Sequence, residues 1–158
     1  MPRITTNLWF DTEGEEAAEF YCSVFPNSKI TFVSHYSEAG PRPAGTVLTV
    51  DFVLDGNEFT AINGGPEFKF DEAISLLISC EDQEEIDYYW EKLSEGGEES
   101  QCGWLKDKYG LSWQVAPVAM QKLLSDPDGG RLERAMRAMF DMKKIDIAAL
   151  LAAADNDG

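Results

Sequence analysis

Residues 73–97, AISLLISCEDQEEIDYYWEKLSEGG, decide the fold, because residues 4–25, ITTNLWFDTEGEEAAEFYCSVF, say nearly the same thing. Both read as a strand, an acidic cap and an amphipathic helix. Laying Gly14-Glu15-Glu16 on Gln83-Glu84-Glu85 puts Phe20-Tyr21 on Tyr89-Trp90 and Val24 on Leu93, an offset of about 69 residues. The spacing therefore predicts one module present twice.

Working outward, Ile4–Phe10 alternates as a strand, and Thr12 with Glu15 forms a capping box that opens a helix. The apolar stripe of that helix is Ala17, Phe20, Tyr21, Val24 and Phe25, and Pro26-Asn27 stops it. Lys29–Tyr36 and Thr46–Leu54 read as strands, separated by the loop Glu38–Gly45 with its prolines and glycines. Asp55-Gly56 turns the chain into a return strand, Glu58–Ile62, and Asn63-Gly64-Gly65-Pro66 breaks the sheet.

The second half repeats that order. Strand Ile74–Cys80 leads to a helix capped by Asp82 with Glu85, striped by Ile86, Tyr89, Trp90 and Leu93, and ended by Gly96-Gly97. Strands follow at Glu98–Gly103, Trp104–Lys108 and Leu111–Ala116, and Pro117 closes the sheet. Helices are expected at Val118–Ser125, Arg131–Met142 and Ile145–Ala154, with a frayed tail from Asp155 to Gly158. The expected fold is α+β: two βαβββ modules (4–64 and 73–116) in one domain, 1–116, forming a cupped eight-stranded mixed sheet, with a helical extension over 117–158.

Composition excludes several classes of function. The 158 residues are 44% hydrophobic and carry a net charge of −16, which opposes nucleic acid and anionic membrane surfaces alike. No apolar run approaches the roughly 20 residues that cross a bilayer. Pro2 and Arg3 lead directly into a strand, so no cleaved leader is expected. Cys22, Cys80 and Cys102 are widely spaced and form no CxxC, as fits structural thiols in a reducing cytoplasm. Charge is uneven. Residues 81–99 hold nine acids and one base, whereas Arg131, Arg134 and Arg137 form a basic stripe that would pair with them, within the chain or across a dimer.

Two βαβββ modules resemble the vicinal oxygen chelate superfamily of glyoxalase I, extradiol dioxygenases and bleomycin-resistance proteins. The resemblance narrows at LWFDTEGEEAAEFYCSVFPNS, AINGGPEFKF, CEDQEEIDYYWEKLSEGGEESQCGWLKDKYGLSWQVAP and MKKIDIAALLAA to the PhnB-like branch, which carries the label 3-demethylubiquinone-9 3-methyltransferase. It implies a cup-shaped sheet holding a divalent metal between His or Glu ligands. By position those ligands fall on Thr6, Ser75, Gln114 and a residue between Thr60 and Asn63. Hydroxyls and a neutral amide are poor metal ligands, so a degenerate metal site and no cofactor are expected. What remains is a ring of small polar groups suited to a small-molecule ligand, in a chain that the resemblance makes a homodimer.

The candidate ligand-binding residues are Thr6, Trp9, Asn63, Ser75, Cys102, Trp104 and Gln114. Gln114 turns to the face opposite Trp113 and needs a partner there, whether ligand, water or a neighbouring strand. Asn63 before Gly64-Gly65 serves a ligand or simply a turn. Trp9, Trp104 and Phe70 wall a pocket or fill a core. Cys102, beside Gly103, has room to act as a nucleophile, but no cation near it in sequence would activate it. His35, with no acid or cysteine at catalytic spacing, reads as a surface or core-edge histidine. The leading functional expectation is a small-molecule-binding protein or enzyme that uses the cup as its cavity. The alternative is non-catalytic sequestration, with an acidic dimer groove holding a cationic drug. The methyl transfer that the label names would call for a glycine-rich strand–loop–helix, which this chain does not show.

Overall fold

Alternating apolar residues and two acidic caps build the same order of elements twice. The computed structural model describes residues 2–156, and its contacts separate them into two units that divide between Phe70 and Asp71. The first unit holds β1 (Thr6–Phe10), α1 (Gly14–Val24), β2 (Lys29–His35), β3 (Val47–Leu54) and β4 (Asn57–Asn63). The second holds β5 (Ser75–Cys80), α2 (Gln83–Ser94), β6 (Glu98–Glu99), β7 (Trp104–Lys106) and β8 (Ser112–Pro117). There follow α3 (Val118–Leu124), α4 (Gly129–Met139) and α5 (Ile147–Asp155).

Each unit carries a four-stranded mixed sheet of one topology, β1-β4-β3-β2 and β5-β8-β7-β6. In both, the first strand pairs parallel with the last, and the other pairings are antiparallel. In the first unit Tyr21 of α1 stacks on Phe52, which stacks on Phe59, and these aromatics with Ala17, Ala18 and Val50 form its core. In the second unit Ile86, Trp90 and Leu93 of α2 are buried with Cys80, Leu105, Trp113 and Val115. Among the described residues no helix is long and apolar enough to cross a membrane.

The two helices start differently. Asp82 caps α2 as expected, its carboxylate accepting from the Glu85 N–H at 2.9 Å. The capping box expected at Thr12 and Glu15 does not form. Glu13 occupies the cap position without a side-chain capping bond, and the Gly14 N–H donates instead to Asn63 Oδ1 at 2.7 Å. Glycine allows that approach, since a Cβ at position 14 would lie 2.6 Å from the same oxygen.

The offset of about 69 residues holds for the helices, where Ala17, Tyr21 and Val24 correspond to the buried Ile86, Trp90 and Leu93. The strands slip by one. Residues 11–13 join β1 to α1, whereas only residues 81–82 join β5 to α2. A one-residue slip exchanges the faces of a strand. Thr6 shares a face with the buried Leu8 and Phe10, the face that α1 covers, since Ala61 beside Leu8 lies against Gly14. Ser75 faces away from α2.

The strand expected over Glu98–Gly103 ends at Glu99. Cys102 and Gly103 adopt left-handed backbone (φ 60° and 83°), and their N–H groups donate to Met142 O and Lys143 O, both at 2.8 Å. Those bonds take the segment out of the ladder and onto the chain that follows α4. The expected helix over Arg131–Met142 instead begins at Gly129, where Asp128 caps it through the Gly130 N–H, and ends at Met139.

The arginine stripe is engaged by its own helices rather than by α2. Arg131 pairs with Asp126 and Asp155, Arg137 with Glu133, and Arg134 donates to Ala154 O. The segment after α4 is tied to α2 by Lys144, paired with Asp87 at 2.8 Å, and by Gln83, which donates to Ile145 O at 2.9 Å and accepts from the Ile147 N–H at 2.8 Å. Of the tail expected to fray, Asp155 ends α5 in that ion pair, and Asp157 and Gly158 lie outside the described residues.

Candidate functional site

In a strand, every second side chain shares a face. On β8 the buried Trp113 and Val115 turn one way, and Ser112, Gln114 and Ala116 line a cavity on the other. The cavity lies wholly within the second unit and measures about 740 Å³. Its floor adds Leu77 of β5 and Trp104 of β7, the latter paired in register with Gln114. One wall is the loop Ser100–Cys102. Another is apolar and comes from the C-terminal helices, through Met120, Leu124, Met139, Phe140 and Ile145. Glu72, Glu98 and Lys106 supply its charges, while Glu99 turns its carboxylate to Trp90 Nε1 on the α2 face.

Three polar groups define the floor. Gln114 Nε2 donates to Ser75 Oγ at 2.9 Å, and Gln114 Oε1 accepts nothing from the described residues. Ser112 is fully buried, and its Oγ has no hydrogen-bond partner among the described residues. A buried hydroxyl left unpaired costs on the order of 1–3 kcal/mol, so such atoms mark places where a ligand or water completes the bonding. At the rim Lys106 pairs with Glu72. That hydrogen bond holds the Glu72 carboxyl below its ordinary value and raises the lysine.

The sheet behind the floor is fixed by Asp107. Its buried carboxylate accepts from the N–H groups of Tyr109 and Leu111 at 2.8 and 3.1 Å, and from Trp113 Nε1 at 2.9 Å. This closes the β7–β8 turn and locks Trp113 onto the far face, which leaves Gln114 on the cavity side.

Of the residues singled out in the sequence, the structure brings Ser75, Cys102, Trp104 and Gln114 together. Cys102 is half-buried in the cavity wall. The other three lie in the first unit. Thr6 is exposed at the start of β1. The Trp9 indole donates to Gly65 O at 2.9 Å, and its ring meets Phe68 edge-on. The Asn63 side-chain amide accepts from the Gly14 N–H and donates to Val47 O at 3.2 Å, while the Asn63 backbone carbonyl accepts from the Tyr36 hydroxyl at 2.6 Å. Asn63 also borders a smaller hollow of about 430 Å³, lined by Arg42, Pro43 and Gly45 of the 38–45 loop. Phe70 packs edge-on against Phe10, and His35 is exposed on β2.

Sequence reasoning missed Ser112 and the helical wall. Ser112 stands two residues before Gln114 and shares its face by the same alternation. The wall had no comparable signal, because periodicity does not say which sheet a helix covers.

The residues fit a divalent metal poorly. The positions expected to ligate it hold hydroxyls and one amide, and with the one-residue slip the point of β4 that matches Gln114 is Thr60, whose hydroxyl donates to Asp51 Oδ1 at 2.8 Å. Among the described residues no three His, Cys, Asp or Glu side chains gather as a metal site.

The family model described as 3-demethylubiquinone-9 3-methyltransferase matches residues 2–116. No curated protein matches the chain. Among solved structures, the PhnB protein of Bacillus cereus is 41% identical with a TM-score of 0.67, over 73% of this chain and 99% of that one. Protein PA1353 of Pseudomonas aeruginosa, at 17% identity and a TM-score of 0.61, aligns over 74% of this chain and 98% of its own. The fosfomycin resistance protein FosX of Listeria monocytogenes, at 15% identity and a TM-score of 0.53, aligns over 79% and 98%. The last two likenesses concern the fold alone.

Proposed function

This chain belongs to the family described as 3-demethylubiquinone-9 3-methyltransferase, in its PhnB-like branch and with the glyoxalase/bleomycin resistance-like fold, and from that premise we propose that it binds a small organic molecule in the cavity of its second unit. Gln114, oriented by Ser75, and Ser112 supply the polar contacts, and Trp104 and Cys102 flank them. The observation that carries this reading is the Ser112 hydroxyl, unpaired among the described residues, beside a Gln114 carbonyl oxygen that accepts nothing from them, facing an apolar wall. Unpaired polar atoms in a pocket reward a ligand that pairs with them and penalise one that does not. Binding of this kind draws on apolar burial for affinity and on the two polar atoms for orientation, without a bound metal.

A thermal-shift screen of small neutral and charged metabolites tests the reading. A ligand of the native state raises the melting temperature in proportion to RT ln(1 + [L]/Kd). Hits are expected to stabilise the natural chain and to lose that effect in Gln114→Leu. A hit whose shift survives Gln114→Leu binds elsewhere, and a screen without hits removes the proposal's support.

A further inference from the structure

The family match ends at residue 116, yet the apolar wall of the cavity comes from beyond it, through Met120, Leu124 and Phe140. Leu124 and Phe140 are 63% and 57% exposed, apolar surface that a bound molecule would cover. Opposite that wall, among the described residues, Ser112 Oγ is buried and unpaired and Gln114 Oε1 is an acceptor without a donor. Glu72 and Lys106 cancel at the rim and leave Glu98 to set its sign as negative, while the Glu99 carboxylate is turned to the α2 face and accepts from Trp90 Nε1 at 3.0 Å. We infer that the C-terminal extension converts this cavity into a site for uncharged amphiphiles: a ring-sized apolar body lies against the extension, and a polar end carrying one N–H or O–H pairs with Gln114 and Ser112. The inference deepens the binding reading above and rests on it.

Each charge class is disfavoured for its own reason. An anion meets the Glu98 carboxylate on entry, and the floor holds no cation among the described residues to receive it. A cation is drawn to the rim but would leave its charge unpaired against Met120 and Phe140 if it went deeper. A neutral molecule with a single donor meets neither cost.

Two dyes of one skeleton test this directly. N-phenyl-1-naphthylamine is neutral with one N–H, and 8-anilino-1-naphthalenesulfonate is the same skeleton bearing a sulfonate. Quenching of tryptophan fluorescence on titration should give the neutral dye an affinity about tenfold or more above the sulfonate. Ser112→Ala and Leu124→Gln, both checked for an unchanged circular dichroism spectrum, should each weaken the neutral dye by about threefold or more. Equal affinity for the two dyes overturns the charge selectivity and leaves binding standing. Neutral-dye affinity unchanged in both variants overturns the assignment to this wall and floor. Dye uptake that appears only as the protein is diluted out of a dimer gives the groove to a second copy, and overturns the inference. If neither dye binds, the binding reading itself falls with it.

Discussion

The Gln114 amide donates to the Ser75 hydroxyl at 2.9 Å across two parallel strands, linking residues 39 apart in sequence. The bond takes one of the two amide N–H donors and restrains the side chain on the cavity face of β8. A glutamine free to rotate would lose side-chain entropy on binding, and one held by a neighbour has already lost it. The first unit offers no counterpart. At the matching place Thr60 donates its hydroxyl to Asp51 Oδ1 at 2.8 Å, and the Asn63 amide holds the start of α1. One module is thus given over to its own packing, while its repeat keeps polar atoms in reserve.

Ser112→Ala should separate stability from binding. Removing a buried hydroxyl that has no partner removes its desolvation penalty, so the variant should gain about 0.5–2 kcal/mol in urea melts while losing affinity for the neutral dye. A loss of stability would mean that the hydroxyl is hydrogen-bonded inside the folded chain.

Two glycines at helix starts should respond oppositely to alanine. Gly129 opens α4 in free space and without positive φ, so Gly129→Ala should stabilise by about 0.5–1 kcal/mol through the unfolded chain. Gly14→Ala places a methyl 2.6 Å from Asn63 Oδ1 and 3.3 Å from the Ala61 Cβ, and should cost on the order of 1–3 kcal/mol. Paired thermal melts read the difference. Equal effects at the two sites would show that Asn63 does not cap α1.

Much of this fold is legible in the sequence because its signals are local. Asp82 caps α2, Asp55-Gly56 turns with both residues at positive φ, and the helix stripes point where their periodicity says. Gln114 was legible for the same reason, since alternation against a bulky Trp113 fixes its face. The misses are non-local. Asn63 caps a helix 49 residues away, a pairing that no window around either residue contains. The slip between the modules turns on one residue in the β1–α1 connection, which leaves the helix alignment intact while exchanging the faces of the strands. The arginine stripe reads as a partner for α2, but the carboxylates of Asp126 and Asp155 and the end of α5 reach it first.

Acid should loosen the C-terminal helices through Asp126. Its carboxyl is held below the ordinary value of 3.8, first by the Asp128 backbone N–H and then by Arg131. A depressed carboxyl gives stability that is present above its unfolded pKa and is lost as pH falls through the folded one. Stability should therefore be flat near neutrality and decline below about pH 4, with a shallower acid limb in Asp126→Asn. Circular dichroism across that range checks it, and identical acid limbs would remove Asp126 from the account.

The three thiols should react in an order set by burial. Cys80 is fully buried, and burial, followed by the charges of Glu85 and Asp82, pushes its thiol up to about 12, so it carries almost no thiolate near neutral pH. Burial also raises Cys22, on α1. Cys102, half-buried in the cavity wall on left-handed backbone, is the thiol open to the cavity. Iodoacetamide followed by mass mapping should label Cys102 first and Cys80 last, and the neutral naphthylamine dye should slow the labelling of Cys102 alone. Dye that leaves Cys102 as reactive as before would place the ligand away from this wall, and Cys80 labelling at its unfolded rate would contradict the packing of α2 on its sheet.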